Sequence, residues 1–309
     1  MRKALLENLN IRCRHGNSGK YKMILLWQVL VNGVLLGGIY AAMALGLVLA
    51  WGVLHIVNVA HGALIMLGAY VSYYLFTFIG LDPFAGMPLS MIVMFGFGYL
   101  LQLYLLNFMI KAPMFNTLLL TFGLAVIFAN LAQFAFSADF RIINPVYAED
   151  NFVWLGATIP LVRILAFGVA MTLTLFLWAF LTYARYGRAI RATAQNLVAA
   201  RLYGINPRKI YAMTFGIVGA FAAASGVLYG VVWQINPYIG SNLTAKSFAI
   251  AIIGGLQNPL YVIVGGLFLG IIESLSSLYL GPTYSDLVFF GILVLILIVR
   301  PTGLLGKTA

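Results

Sequence analysis

Charge is what this sequence has least of. Only 8% of its 309 residues are Asp, Glu, Lys or Arg, where an ordinary soluble domain carries about a quarter. Cysteine is almost missing too. Cys13 stands alone, so no internal disulfide can form and a secreted disulfide scaffold is excluded. Nor is there a Cys/His cluster that would suggest a metal site, so neither metal ligands nor catalytic residues are expected. With 63% hydrophobic residues and a mean hydropathy of +1.01, the chain has too little charge to solvate a globule of this size. A soluble enzyme and a disordered chain are both excluded. The net charge of +11 would suit nucleic acid, but most bases lie in two blocks beside apolar runs, without interleaved aromatics. No nucleic-acid partner is expected, and the natural partner is membrane lipid.

What is there is a series of long charge-free windows. They run over 23–81, 83–110, 112–138, 164–184, 210–245 and 247–272, with a shorter one at 287–299. A spanning helix needs roughly 20 apolar residues, so the first window must cross more than once. Breaks are expected at Asn32-Gly33, in the His55–Gly62 region and in the Gly80–Pro88 loop. The expected fold class is all-α: a polytopic bundle of about eight full spans plus one or two short or broken segments. Two domains are expected, a basic tail over 1–23 and a transmembrane domain over 24–309. Orientation follows the Lys and Arg residues. The tail carries Arg2, Lys3, Arg12, Arg14, Lys20 and Lys22, and the 183–211 loop carries Arg185, Arg188, Arg191, Arg201, Arg208 and Lys209. Both are expected to be cytoplasmic, together with Arg300 and Lys307, while the 137–160 loop with three acids lies outside. That assignment requires an even number of crossings between the tail and the 183–211 loop. The apolar run after the tail is too long for a cleavable signal peptide.

Within the windows, Gly33/Gly37, Gly226/Gly230 and Gly266/Gly270 are GxxxG pairs. Their first reading is close helix packing inside one bundle; a subunit interface or a pathway wall is the sharper alternative. Interrupting elements occur at Asn58 through Ala60-His61-Gly62, at Asn236-Pro237-Tyr238-Ile239-Gly240, and at Gly254-Gly255 through Pro259. Broken backbone at membrane depth has to be buried in protein or line a wet cavity, and paired breaks in two halves point to a transport site. Such halves are hinted at by Gly38-Ile-Tyr-Ala-Ala and Gly219-Ala-Phe-Ala-Ala, each leading toward an Asn-containing break. Asn58, His61 and Asn236 are therefore the pathway candidates, although a hydrogen-bonded structural role for His61 is the commoner case. Lys246, Glu273 and Asp286 fall at window ends, where snorkelling to the interface is the default expectation. No internal energy source is visible. The Gly303–Thr308 stretch has Pro301 where a phosphate loop needs its first glycine, so it is not an ATP site.

The 183–211 loop is the most informative stretch. From Arg188 to Tyr203 it reads as an Ala-rich helix of about four turns, with Ile190, Ala194, Leu197 and Arg201 on one face. Gly204 stands at the C′ position and Asn206-Pro207 forbids continuation. A short helix with a defined stop suits docking into a partner's groove.

On these motifs the chain resembles the permeases of branched-chain amino acid ABC transporters, the LivH-type family. The resemblance is carried by 56–70 (Ile-Val-Asn-Val-Ala-His-Gly-Ala-Leu-Ile-Met-Leu-Gly-Ala-Tyr), the 187–206 loop, 235–240, Ile253-Gly-Gly255 and 300–306, in family order. It implies a pore subunit without enzymatic activity or cofactor of its own. The implied partners are two cytoplasmic ABC ATPase subunits, a second homologous permease and an extracytoplasmic substrate-binding protein. Arg188, Asn196, Ala199, Gly204 and Asn206 match the family's coupling pattern. The implied cargo is a branched-chain or other neutral amino acid, with urea or short amides carried by related permeases. A self-sufficient channel or secondary transporter is the alternative from another class. Ala63 departs from the family, which commonly has an acid directly after the His-Gly pair.

Overall fold

A computed structural model describes residues 18–109, 112–256, 259–300 and 303. Most of the basic tail, the Gln257-Asn258 step and most of 301–309 lie outside the described residues. The described chain is a helical bundle. Five helices precede the central loop: α1 (Ser18–Leu54), α2 (His61–Ile79), α3 (Pro83–Tyr104), α4 (Met114–Phe136) and α5 (Leu161–Tyr183). The loop itself forms α6 (Arg185–Gln195) and α7 (Leu197–Leu202). Then come α8 (Pro207–Gly230), α9 (Ile239–Gly254), α10 (Tyr261–Tyr279) and α11 (Pro282–Val299). A short antiparallel hairpin of β1 (Asn151–Trp154) and β2 (Ala157–Pro160) precedes α5.

Eight of these helices are long and apolar enough to cross a membrane, and α9 is a shorter apolar ninth. That matches the expected span count. α1 and α8 form the axis: 89% of each apolar window is buried, against 17% for α11 and 22% for α4 at the periphery. The glycine pairs explain the close approach. A Cβ on Gly37 would lie 2.6 Å from the Leu267 Cα, and one on Gly270 would lie 2.5 Å from the Gly37 Cα. The GxxxG faces of α1 and α10 thus pack on each other, and Gly226 of α8 packs against the α2 backbone near Ala69. Intramolecular packing accounts for all of them.

Two faces of the bundle can be told apart. Trp27 at the start of α1 lies 5.5 Å, ring to ring, from Trp154 of the hairpin. The end of α8 joins the same face, where the Ile143 amide donates to Gly230 at 3.2 Å. Tyr147 donates to Asp82 at the α2–α3 turn at 2.6 Å. Burial and that carboxylate push its phenol pKa upward, which keeps the donor protonated. On the opposite face, Leu49 and Val53 at the end of α1 pack with Leu181 of α5 and Ile190 of α6.

Helix α1 therefore runs from the hairpin face to the α6–α7 face. Residues 55–60 double back to mid-bundle, where His61 reaches the Met43 carbonyl at 2.8 Å, and α2 continues from there to the hairpin face. α8 runs the opposite way, residues 231–238 turn back, and α9 continues toward the α6–α7 face. Long helix, break and following helix thus occur in the same order in both halves but run in opposite directions.

Two expectations fail here. No break occurs at Asn32-Gly33, where α1 is continuous. Gly33 is a packing glycine whose added Cβ would lie 2.8 Å from the Ile271 Cα, and Asn32 is held by an Arg163 hydrogen bond at 3.2 Å. The even-crossing rule fails as well. Five passes, α1 to α5, separate the start of α1 from the α6–α7 loop, so those two lie on opposite faces. The broken pass through 55–79 was hidden inside one charge-free window.

Candidate functional site

Asn58, His61 and Asn236 come to the two helix breaks, and the breaks meet. Thr244 of α9 joins them. Its hydroxyl accepts the Gly62 amide proton at 2.9 Å and lies 3.0 Å from the Val59 carbonyl and 2.9 Å from the Gly240 carbonyl. One hydroxyl proton serves one of those carbonyls at a time. Thr121 of α4 bridges the same break, accepting from the Val59 amide at 3.2 Å and lying 3.0 Å from the Val57 carbonyl. Threonine hydroxyls thus supply the bonds that the missing helix turns would have made. Neither threonine was singled out from the sequence, because a lone Thr in an apolar run carries no signal by itself.

The structure places all three pathway candidates at or beside these two breaks. His61 is fully buried against Met43. Asn236 folds back to accept the Tyr238 amide proton at 2.8 Å, shaping the turn into α9. Asn58 is 1% exposed, and neither atom of its amide has a partner among the described residues. Ala63 is buried beneath Gly240, whose added Cβ would lie 3.2 Å from the Ala63 Cα. Replacing Thr244 with Val should leave the Gly62 amide unsatisfied at constant volume, costing about 1–3 kcal/mol. A thermal unfolding scan in detergent would show the lowered midpoint.

The second feature was misread from the sequence. Lys246, Glu273 and Asp286 do not snorkel apart. They converge between α9, α10 and α11, with the Lys246 ammonium 3.0 Å from each carboxylate. Window ends that are far apart in sequence become neighbours once α9 and α10 fold back on one another.

The third feature is the α6–α7 bracket. The expected single helix is two, because Asn196 adopts an extended backbone (φ −154°, ψ 105°) and caps α7, its side chain accepting the Ala199 amide proton at 2.9 Å. Ile190, Ala194 and Leu197 still pack inward together, whereas Arg201 is exposed. Gly204 is left-handed (φ +80°), and the Ile205 amide donates to Ala200 at 3.0 Å across it. Asn206 caps α8 through the Arg208 amide at 3.1 Å. Arg188 donates to the Tyr183 carbonyl at 2.9 Å and Arg191 to Thr182 at 3.1 Å, so two cations satisfy the end of α5. The bracket is tied by hydrogen bonds and packing where it meets the spans, yet α7 leaves Val198 and Leu202 69% and 83% exposed, with Tyr203 beside them.

Gly187 escaped the sequence reading. A Cβ there would lie 2.7 Å from the Leu181 Cα and overlap the Phe180 carbonyl oxygen, so this glycine lets α6 lie across the end of α5. Gly187→Ala should cost about 1–3 kcal/mol through overpacking, measurable as a lower unfolding midpoint of the purified protein.

Two helix breaks on inverted paths, meeting inside a bundle of spans, are the organisation of a membrane transport protein. The chain belongs to the family of branched-chain amino acid transport system permease components, whose model matches residues 29–297. It is 34% identical over 296 residues to the high-affinity branched-chain amino acid transport system permease protein LivH of Salmonella typhimurium, covering 91% of this chain and 95% of that one. The corresponding permease BraD of Pseudomonas aeruginosa is 33% identical, with the same coverage of both chains. Over 140 residues, 45% of this chain and 32% of the relative, it is also 31% identical to the permease protein LivM of Escherichia coli. No solved structure matches.

Proposed function

We propose that this chain is a membrane-spanning permease subunit of an ATP-driven importer of branched-chain or other neutral amino acids. The observation that carries the reading is the α6–α7 bracket. It is anchored in the bundle by Ile190 and by the arginine contacts to α5, and it offers exposed apolar side chains beyond the spans. Two cytoplasmic ABC ATPase subunits supply the energy, and one of them docks on the bracket. Arg188, Asn196, Ala199, Gly204 and Asn206 hold its shape. When the ATPases close on ATP, the push on α6 passes through Ile190 to α1 and α5, and the junction of the broken helices is reoriented.

A second, homologous permease completes the pore; the partial likeness to LivM supports a related partner rather than an unrelated one. An extracytoplasmic binding protein delivers the substrate. The α6–α7 face and the end of α11 then lie in the cytoplasm of a bacterial inner membrane, and the start of α1 lies at the extracytoplasmic side.

Mild-detergent purification of the tagged chain from its native membrane tests the assembly. A co-purifying phosphate-loop ATPase and a second multi-span protein are expected. Recovery of the chain alone, from membranes active in uptake, would contradict the reading.

A further inference from the structure

A charge inside a spanning segment is expensive and needs a partner. Around Lys246 there is one partner too many. The residue is 8% exposed, its ammonium lies 3.0 Å from Glu273 and 3.0 Å from Asp286, and it donates to the Tyr40 hydroxyl at 3.1 Å. Tyr40 in turn donates to the other Glu273 oxygen at 2.7 Å. One ammonium and two carboxylates leave a formal charge of −1 (1 − 2 = −1). The surplus carboxylate is an unmatched negative charge that a cationic group would compensate.

Asp286 is the looser member. Its side chain is 48% exposed against 15% for Glu273, and its second oxygen takes the Asn242 amide at 3.4 Å, long for a hydrogen bond. Lys246, Glu273 and Asn242 line a cavity of about 330 Å³, near the lower end of the range of about 300–1,000 Å³ typical of small-molecule pockets, and Asp286 stands behind that wall through its contacts with Lys246 and Asn242. The cavity's other wall is aromatic. Trp233 stacks between Tyr40 and Tyr229, with ring centroids 6.3 Å and 5.1 Å away.

We propose that this cavity is a pathway subsite for the zwitterionic head of an α-amino acid with an apolar side chain. The substrate carboxylate takes Lys246 from Asp286, and the substrate ammonium settles between Asp286 and Glu273. Inserting a zwitterion into the Lys246–Asp286 bridge leaves every charge with an opposite neighbour, and the surplus carboxylate favours the ammonium. The aromatic wall receives the apolar side chain. A carboxylate without an amine would raise the local charge to −2 (−1 − 1 = −2), and urea or a short amide has no charge to exchange, so both are disfavoured. The inference rests on the importer reading and narrows its substrate class.

The test uses the whole co-purified complex with its binding protein in proteoliposomes, with L-leucine as the probe. Asp286→Asn is the principal variant, because its half-exposed position makes it compatible with assembly; Glu273→Gln is the second. Leucine delivered per ATP hydrolysed should fall at least tenfold in each. In a Cys13→Ser background, Asn242→Cys should react with a methanethiosulfonate at least threefold more slowly in the presence of leucine, and at an unchanged rate with 4-methylpentanoate. A wild-type delivery ratio in Asp286→Asn, or labelling indifferent to leucine, overturns the subsite and leaves the importer reading standing. Loss of ATP-dependent uptake in the unsubstituted complex would overturn both.

Discussion

Gly204→Val should abolish uptake while leaving membrane insertion and the yield of folded protein close to normal. The residue has φ +80°, and nothing lies within 4 Å of where its Cβ would be. Sterics with neighbours therefore contribute nothing, and the whole effect is backbone. A β-branched residue is a genuine outlier in the left-handed region, with a local cost of about 1–3 kcal/mol. The loop relieves that cost by giving up the bond from Ile205 to Ala200 and re-aiming α7 relative to α8. The spans are untouched, since the change lies beyond them, but the exposed Val198–Tyr203 surface is turned from its native angle. Uptake assayed alongside quantitative immunoblotting separates these outcomes. Gly204→Asn supplies the control: asparagine tolerates the left-handed region, so it should retain most of the uptake. Equal uptake in the Val variant would remove α7 from the coupling path.

Gly62→Ala should be the more destructive change, and its damage should be to folding. The added methyl would overlap the Gly240 carbonyl oxygen and lie 2.5 Å from the Thr244 amide nitrogen. Those are backbone atoms of the other half of the bundle, which no rotamer change can move aside. Overpacking a well-packed core costs about 1–3 kcal/mol even where side chains can yield; here the two broken helices have to separate, and the Thr244 bridge to Gly62 is lost with them. A large drop in the detergent unfolding midpoint, together with loss of uptake, is the expected result. An unchanged midpoint would mean that the two halves do not meet as described.

Both positions could be read in part from the sequence, and the contrast between them is instructive. Gly204 was legible because helix-stop chemistry is local: a C′ glycine followed by Asn-Pro leaves few alternatives. Asn206 and the two breaks were legible for the same reason. The role of Gly62 in joining the halves was not, since it depends on which backbone arrives opposite, and Gly240 is far away in sequence. Gly33 went wrong in the converse direction. A glycine after an asparagine reads as a breaker, but in lipid the more frequent use of glycine is close packing, here against α10. The Asn196 break was missed because alanine-rich flanks favour one continuous helix, whereas the asparagine side chain competes for the Ala199 amide.

The charges show the same limit. Positive residues locate loops relative to the membrane one at a time, but the parity between two loops depends on counting passes. A non-helical stretch at 55–60 followed by the helix His61–Ile79 leaves no charge to mark it. Lys246, Glu273 and Asp286 each stood beside a window edge, and only the return of α10 and α11 along α9 assembles them. Chemistry carried by one segment could be read from the sequence; chemistry assembled from three could not.

The central claim is that this chain moves an amino acid only when a separate ATPase drives it. The most direct measurement is accumulation of radiolabelled L-leucine in proteoliposomes containing either the co-purified complex with its binding protein or the chain alone. The account predicts accumulation that requires ATP, the ATPase and the binding protein together, with none from the chain alone. Leucine movement catalysed by the isolated chain without ATP would contradict it.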